Sequence, residues 1–311
     1  MRLGVTVSLI GRGRATSLDE LTQQIGTMAA SGFDSAWLAQ ISTLDALTAL
    51  TVVGLSVPDI ELGTAVLPVY TRHPVAMAQQ ALTTQAAIGG RLALGLGLSH
   101  QVVVEQSWGI AFERPANFMR EYLEVLQPLL RGESVDFAGQ QLKVRTQLTV
   151  PDGQPPSVLL AALGPRMLRL AGESSDGTIT WMAGPRTIEE HVAPTLRAAA
   201  SAAGRPAPRI VVSLPICVTD DVAGARARAA RNFERYGQLP SYRAMLDREG
   251  AAGPADVIVV GPEADVERQL ARLEAAGGTE FVASVFGSGA EQDRTWQFLR
   301  SAVAHGRRTP V

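Results

Sequence analysis

The stretch Gly89-Gly90-Arg91-Leu92-Ala93-Leu94-Gly95-Leu96-Gly97-Leu98-Ser99-His100 sets the architecture. Two glycines stop the helix that opens at His73-Pro74, where proline takes a tolerated first-turn position. Arg91–Leu98 then follows as a run apolar on both faces. Such a strand has to be covered on both sides, as in a parallel sheet flanked by helices. The alternation repeats outward from it. Leu3–Ile10, Phe33–Ala39 and Ile60–Leu67 precede it; Ser157–Leu163, Thr178–Met182, Arg209–Val218 and Glu280–Phe286 follow, making eight runs. Helical segments lie between them. One opens with the capping box Ser17…Glu20, lines up Leu21, Ile25 and Met28 on one face, and stops at Gly32. Others span Thr187–Ala203, Asp221–Tyr236 and Ala264–Ala276, the last with a stripe of Val266, Leu270 and Leu273. Eight such units fit an α/β fold closed as a (β/α)8 TIM barrel better than an open doubly wound sheet.

Between the fourth and fifth runs, Gln101–Pro156 is far longer than the usual connection of roughly 2–6 residues. It holds a helix near Arg114–Leu130, striped by Met119, Leu123, Leu126 and Leu130. An alternating segment follows, Val135, Phe137, Leu142 and Val144, turning at Ala138-Gly139. No second alternating core accompanies it, so residues 1–311 read as one domain with a rim insertion at 101–156.

Composition removes several function classes. A net charge of −2 on 311 residues provides no basic stripe for nucleic acid. The lone Cys217 excludes a disulfide framework and a cysteine-rich metal site. Neither a signal peptide nor an uninterrupted apolar span is visible, which points to a cytoplasmic, non-membrane protein. His73, His100, His191 and His305 are too dispersed to suggest a metal constellation. His73 reads as a helix cap, and His191 and His305 as solvated. No Walker loop, His-Glu-x-x-His or G-x-S-x-G elbow is present. Gly11-Arg12-Gly13-Arg14-Ala15 lacks both the third glycine and the distal acid of a dinucleotide fingerprint.

In a barrel of this kind chemistry collects at the carboxyl ends of the strands. Gly95-Leu96-Gly97-Leu98-Ser99-His100 could let a flat ligand lie against backbone, with His100 as a proton carrier. The alternative is that the glycines relieve crowding and His100 is a solvated loop residue. Leu163-Gly164-Pro165-Arg166-Met167 leads straight into a helix, placing free N–H groups and the positive helix end at the mouth. An anion site there is favoured over a plain strand–helix turn. Trp37 and Trp181 fit packing, though Trp181-Met182 at a strand end could equally wall a flat ring.

Taken in order and spacing, several motifs resemble the luciferase-like monooxygenase superfamily, and within it the oxidoreductases that use the deazaflavin coenzyme F420. They are Leu3-Gly4-Val5, Gly32-Phe33-Asp34-Ser35-Ala36-Trp37, Gly63–Pro68, Arg72-His73-Pro74, the Gly89–His100 block, Gly164–Met167 and Ser175-Asp176-Gly177. The resemblance implies a ring lying across the barrel mouth with a cis peptide behind it at Ala65-Val66. It places the coenzyme tail beside Gly97, Leu98, Ser99 and His100, and its phosphate on Gly164, Pro165, Arg166 and Met167. Gln40 would fix the ring edge, and Trp181 would wall it. A homodimer is implied as well. Two departures stand out: Gln40-Ile41 replaces the Asp-His pair of the sugar-phosphate dehydrogenases, and Ser99-His100 replaces their Gly-Glu. His100 is then the one titratable candidate for a proton donor, and a neutral or apolar substrate is expected rather than a sugar phosphate. The expected activity is hydride transfer between coenzyme F420 and a small organic molecule. Two alternatives stay open: a flavin mononucleotide (FMN) monooxygenase served by a separate reductase and oxygen, and a non-catalytic barrel that binds the coenzyme.

Overall fold

The computed structural model describes residues 1–7 and 17–306. Eight parallel strands close into a barrel: β1 (Arg2–Val7), β2 (Ser35–Leu38), β3 (Glu61–Thr64), β4 (Leu92–Gly97), β5 (Ser157–Ala161), β6 (Gly177–Trp181), β7 (Arg209–Val218) and β8 (Glu280–Val285). Closure is completed by β8 returning to β1, with Arg2 opposite Glu280 and Val5 opposite Ala283. The (β/α)8 barrel expected from the alternation is the observed fold. Strand β1 is described only to Val7, and the Gly11–Ala15 motif, like residues 307–311, lies outside the described residues.

The ring of helices begins with α1 (Leu18–Ser31), α2 (Ala46–Ser56), α3 (Pro74–Ala87), α4 (Pro115–Leu130) and α5 (Pro165–Ser174). Their ends follow local chemistry. Ser17 Oγ accepts from the Glu20 N–H at 3.1 Å, and Gly32 ends α1 at φ 87°. His73 Nδ1 accepts from the Val75 N–H at 3.4 Å, the capping role read from its sequence position.

Side chains from the strand starts fill the barrel base with charge. Glu280, fully buried, accepts from Ser35 Oγ and from Trp37 Nε1 at 3.0 Å on one oxygen, and from Arg209 at 2.7 Å on the other. Arg209 also grips Glu61 through two N–H groups at 2.9 Å, and Arg2 reaches Glu61 at 2.7 Å. Burial alone would raise the Glu61 pKa, but the Arg209 and Arg2 contacts outweigh it and hold the carboxyl below its ordinary value. Trp37 lies above this plug. Its bulk explains Gly63, where a Cβ would come within 2.3 Å of the indole. Ala93, Leu159, Ile179, Val211 and Val282 pack with Trp37 to seal the interior.

Two long excursions leave the barrel. In the first, between β4 and β5, α4 packs between α3 and α5 with Met119, Tyr122, Leu123, Leu126 and Leu130 buried. Within the stretch 101–156 this helix takes the fourth place in the ring of helices. The additions are the segment 98–114, which includes a π turn at Val103–Ser107, and a hairpin of Val135–Ala138 with Lys143–Thr146. The hairpin tip is pinned to α4, because Glu121 accepts from the N–H groups of Gln140, Gln141 and Leu142 at 2.8–2.9 Å.

The second excursion, between β7 and β8, carries the helices expected at Asp221–Tyr236 and Ala264–Ala276 and, between them, a further helix that no apolar stripe announces. After β6 come α6 (Ala193–Ala202) and then, beyond β7, α7 (Val222–Asn232), α8 (Glu234–Gln238), α9 (Pro240–Glu249) and α10 (Glu263–Ala275). A short strand, Val259–Gly261, extends the edge of β7. Helix α11 (Gly289–Gly306) ends the described chain. Among the described residues no helix is long and apolar enough to cross a membrane.

Candidate active site

At the carboxyl end of β3 the chain leaves its ladder. The Ala65–Val66 peptide is cis, where the resemblance placed it, and Leu67–Pro68 rejoins the sheet opposite Leu96–Gly97. Thr64 bridges the gap: its hydroxyl donates to the Gly95 carbonyl at 2.8 Å and accepts from the Gly95 N–H at 2.9 Å. The β4 glycines make room for this crossing. A Cβ on Gly95 would lie 1.9 Å from the Thr64 carbonyl oxygen, and one on Gly97 would lie 2.5 Å from Val66 Cγ2. Ala65, Val66 and Ala161 sit half-buried on the interior cluster, so the uppermost layer of the barrel is small, apolar and nearly flat. The relief of crowding, one of the two readings of these glycines, is what this geometry shows.

Beyond Gly97, Leu98 and Ser99 turn out of the strand, Ser99 at φ 61°. Met182, just past β6, adopts φ 56°. Non-glycine residues in this left-handed region are uncommon, and both mark strand exits on the functional face. His100 is half-buried, and its ring packs on Tyr242 of α9 at a centroid distance of 5.7 Å. Burial, and after it the charge of Arg235, pushes the imidazole pKa below its ordinary value. Tyr242 comes from a segment that sequence reasoning missed. Around it, Tyr236 packs edge-on to Tyr242 and Trp181, and Phe233 packs edge-on to Trp181. Trp181 Nε1 and the Tyr70 hydroxyl are both buried without a hydrogen-bond partner among the described residues. Tyr70, leaving the Leu67–Pro68 segment, stacks on Phe118 with ring centroids 4.6 Å apart. Burial pushes the Tyr70 hydroxyl up to about 12 and raises Tyr236 and Tyr242 as well. The tyrosine hydroxyls of this wall are therefore uncharged near pH 7, while Arg235 places a positive charge beside His100.

Gln40 is placed differently from expectation. Its Oε1 accepts from the Ala46 N–H at 3.0 Å and from Arg72 at 3.3 Å, while Arg72 pairs with Asp45. The side-chain oxygen thus ties the loop after β2 to the loop after β3, leaving only the amide nitrogen for a ligand. Gly164 is the N-cap of α5, followed by Pro165, exposed Arg166 and half-buried Met167. A Cβ at 164 would meet nothing within 4 Å, so the approach to this helix end is open. The expectation of a solvated His191 is corrected: only 8% of the residue is exposed, and its Nε2 lies 2.8 Å from the Leu163 carbonyl. The helical spacing of Ile188, His191, Val192 and Leu196 carried that signal, masked by the neighbouring Glu189-Glu190.

His100 supplies a sign-definite pH test. Its folded pKa lies below the unfolded value of 6.5, so just under that pH the native state binds fewer protons than the unfolded chain. The associated stability is present above pH 6.5 and is lost as pH falls through the folded pKa. Melting temperature is expected to fall more steeply from pH 7 to about 5 in the wild type than in His100→Gln. Parallel slopes would show that this ring is not the titrating group.

A kinked third strand, glycines opposite the kink and an open helix end after the fifth strand converge on one face of the barrel. Residues 1–293 match the luciferase-like monooxygenase family. The chain belongs to that family. The chain is 29% identical over 250 residues to a 5,10-methylenetetrahydromethanopterin reductase of Methanolobus tindarius, covering 75% of this chain and 76% of that protein. In fold it resembles the coenzyme F420-dependent tetrahydromethanopterin reductase of Methanopyrus kandleri, with TM-score 0.81 and 20% identity over 98% of this chain and 99% of that one. It also resembles the oxygenating constituent of 3,6-diketocamphane monooxygenase of Pseudomonas putida, solved with FMN, at TM-score 0.73 and 18% identity over 96% of each chain. Luciferase-like barrels thus flank this chain on both the deazaflavin and the flavin side.

Proposed function

We propose that this luciferase-like protein is an oxidoreductase moving a hydride between coenzyme F420 and a small, neutral organic substrate. The observation that carries the reading is the apolar lining among the described residues: a floor at Ala65–Val66 and Ala161, aromatic walls, and an open helix end one strand away. These residues fit a flat tricycle with an anionic tail. The relative from Methanolobus tindarius and the F420-dependent neighbour of the fold support the same choice. When bound, the deazaflavin supplies the hydride acceptor or donor.

The chain's own part is binding, orientation and exclusion of water. Ala65, Val66, Gly97, Leu98 and Ser99 offer the ring a surface without bulky or charged groups. The Trp181 N–H, buried beside Tyr236 and without a hydrogen-bond partner among the described residues, is a donor for a ligand oxygen or nitrogen. Gly164, Arg166 and Met167 hold the phosphate through the N–H groups around the first turn of α5 and the Arg166 guanidinium, while Pro165, without an N–H, sets the backbone of that turn. His100, held neutral, carries a ring N–H toward the reacting end. His100→Ala is expected to leave coenzyme affinity within about twofold while lowering turnover about 100-fold, the lower bound for one general acid. Unchanged turnover would remove His100 from the chemistry. Arg72 is paired with Asp45 and Arg186 with Glu190, so these cations are committed within the protein, in keeping with a substrate lacking phosphate.

An FMN-dependent monooxygenase is the second reading, favoured by the FMN complex among its fold neighbours. Parallel fluorescence titrations with F420 and FMN decide between them: tight FMN binding with no F420 binding would overturn the first. Turnover with enones, imines and secondary alcohols then separates an enzyme from a coenzyme-binding barrel. We also propose a homodimer, supported by exposed Val52 and Leu55 on α2, the latter 69% exposed. Sedimentation at micromolar concentration should give twice the mass of one chain; a monomer refutes it.

A further inference from the structure

We infer that His191 is a positioning residue that aims the anion-binding turn after β5, an inference resting on the phosphate site proposed above. The ring belongs to a π turn, Ile188–Val192, in the helical stretch that follows β6, and it is buried between Ile188 and Val192. A carbonyl oxygen can only accept, so the 2.8 Å contact fixes the proton on Nε2 and makes His191 the donor to Leu163. Leu163 immediately precedes Gly164. In a trans peptide the carbonyl and the following N–H point in opposite directions. Holding the Leu163 carbonyl toward His191 therefore turns the Gly164 N–H away from it, and Gly164 donates to no acceptor among the described residues.

The rest of the strand exit is held in the same manner. Thr178 Oγ1 on β6 donates to the Leu160 carbonyl at 2.8 Å and lies 3.4 Å from that of Ala162. Carbonyls 160, 162 and 163 are thus tied to β6 and the helix after it, while the Gly164 N–H is left for a ligand. Glycine at 164 has no side chain to settle its own orientation, which makes an external tether consequential. Turns of the π type recur at functional sites because the extra residue re-aims a side chain.

The test compares affinity for F420 with affinity for the phosphate-free deazaflavin chromophore, read by fluorescence in wild type, His191→Leu and His191→Gln. Wild type should prefer the phosphate-bearing form. His191→Leu should weaken F420 binding about tenfold, the scale of one lost orienting hydrogen bond, and leave chromophore binding unchanged. His191→Gln, which keeps a donor, should recover most of the loss. If His191→Leu does not fold, His191→Asn, polar but too short to reach Leu163, takes its place with the same expected loss. An F420 affinity unchanged in these variants, or an equal loss for both ligands, overturns the positioning role while leaving the phosphate site standing. A wild type that binds both forms equally overturns the phosphate site and the positioning role together.

Discussion

Replacing Glu280 with alanine should cost about 3–5 kcal/mol of folding stability, the scale for stranding one partner of a buried ion pair. The carboxylate is fully buried and satisfies three groups at once: Ser35 Oγ, Trp37 Nε1 and Arg209. Its loss leaves the serine hydroxyl without its acceptor, leaves the indole N–H only Ser35 Oγ at 2.7 Å, and leaves Arg209 to Glu61 alone. For a chain of this size the drop corresponds to a melting shift on the order of 5–8 °C. Glu280→Gln keeps an acceptor for Ser35 and Trp37 and removes only the charge, so roughly half of that loss is expected. Thermal denaturation of the two variants side by side is the measurement. A Glu280→Ala protein that melts with the wild type would show that the base of the barrel is not held by this network.

Gly164→Asp is expected to lower F420 affinity about a thousandfold without harming the fold. Aspartate is a favoured N-cap residue, the backbone at 164 is extended at φ −76° and ψ 154°, and a Cβ there meets open space. The new carboxylate would satisfy the first-turn N–H groups that the phosphate needs and would confront it with like charge. At about 4 Å and an effective dielectric near 20, that repulsion is about 4 kcal/mol. Fluorescence titration reads the affinity, and melting temperature reads the fold. Retained affinity would move the phosphate elsewhere on the barrel.

Much of this molecule was legible because its strands are covered on both faces. A run such as Arg91–Leu98 has no polar alternation to confuse it with a half-exposed strand, and the helix caps at Ser17, His73 and Gly32 act over three or four residues. What escaped notice depends on distance or on broken periodicity. Glu280 and Arg209 are 71 residues apart, and nothing local marks a strand-start glutamate as buried. Tyr236 closes the expected helix Asp221–Tyr236, but Tyr242 lies on a short, polar helix opened by Pro240, with no apolar stripe to announce it. Their aromatic rings meet Trp181 and His100 only once the excursion folds back. The site at β3 and β4 was found through motif resemblance rather than periodicity, because a kink leaves no hydrophobic pattern. Its physical reason, a threonine hydroxyl standing in for ladder bonds beside two glycines, is a property of the folded pair of strands.

The excursion between β7 and β8 has a consequence for how such a protein can diversify. Tyr236 and Tyr242 enter the wall from one continuous stretch of chain, which Glu249 secures by accepting from the N–H groups of Arg186 and Thr187. The proposed phosphate turn belongs to β5, the proposed ring floor to β3 and β4, and the charged plug to the opposite end of the barrel. Insertions and replacements within this one loop can therefore alter which guest molecules are admitted while coenzyme choice and folding are inherited unchanged. Gene copies that share a coenzyme should accumulate their differences here first, making this segment the natural cassette for exchanging substrate range between them.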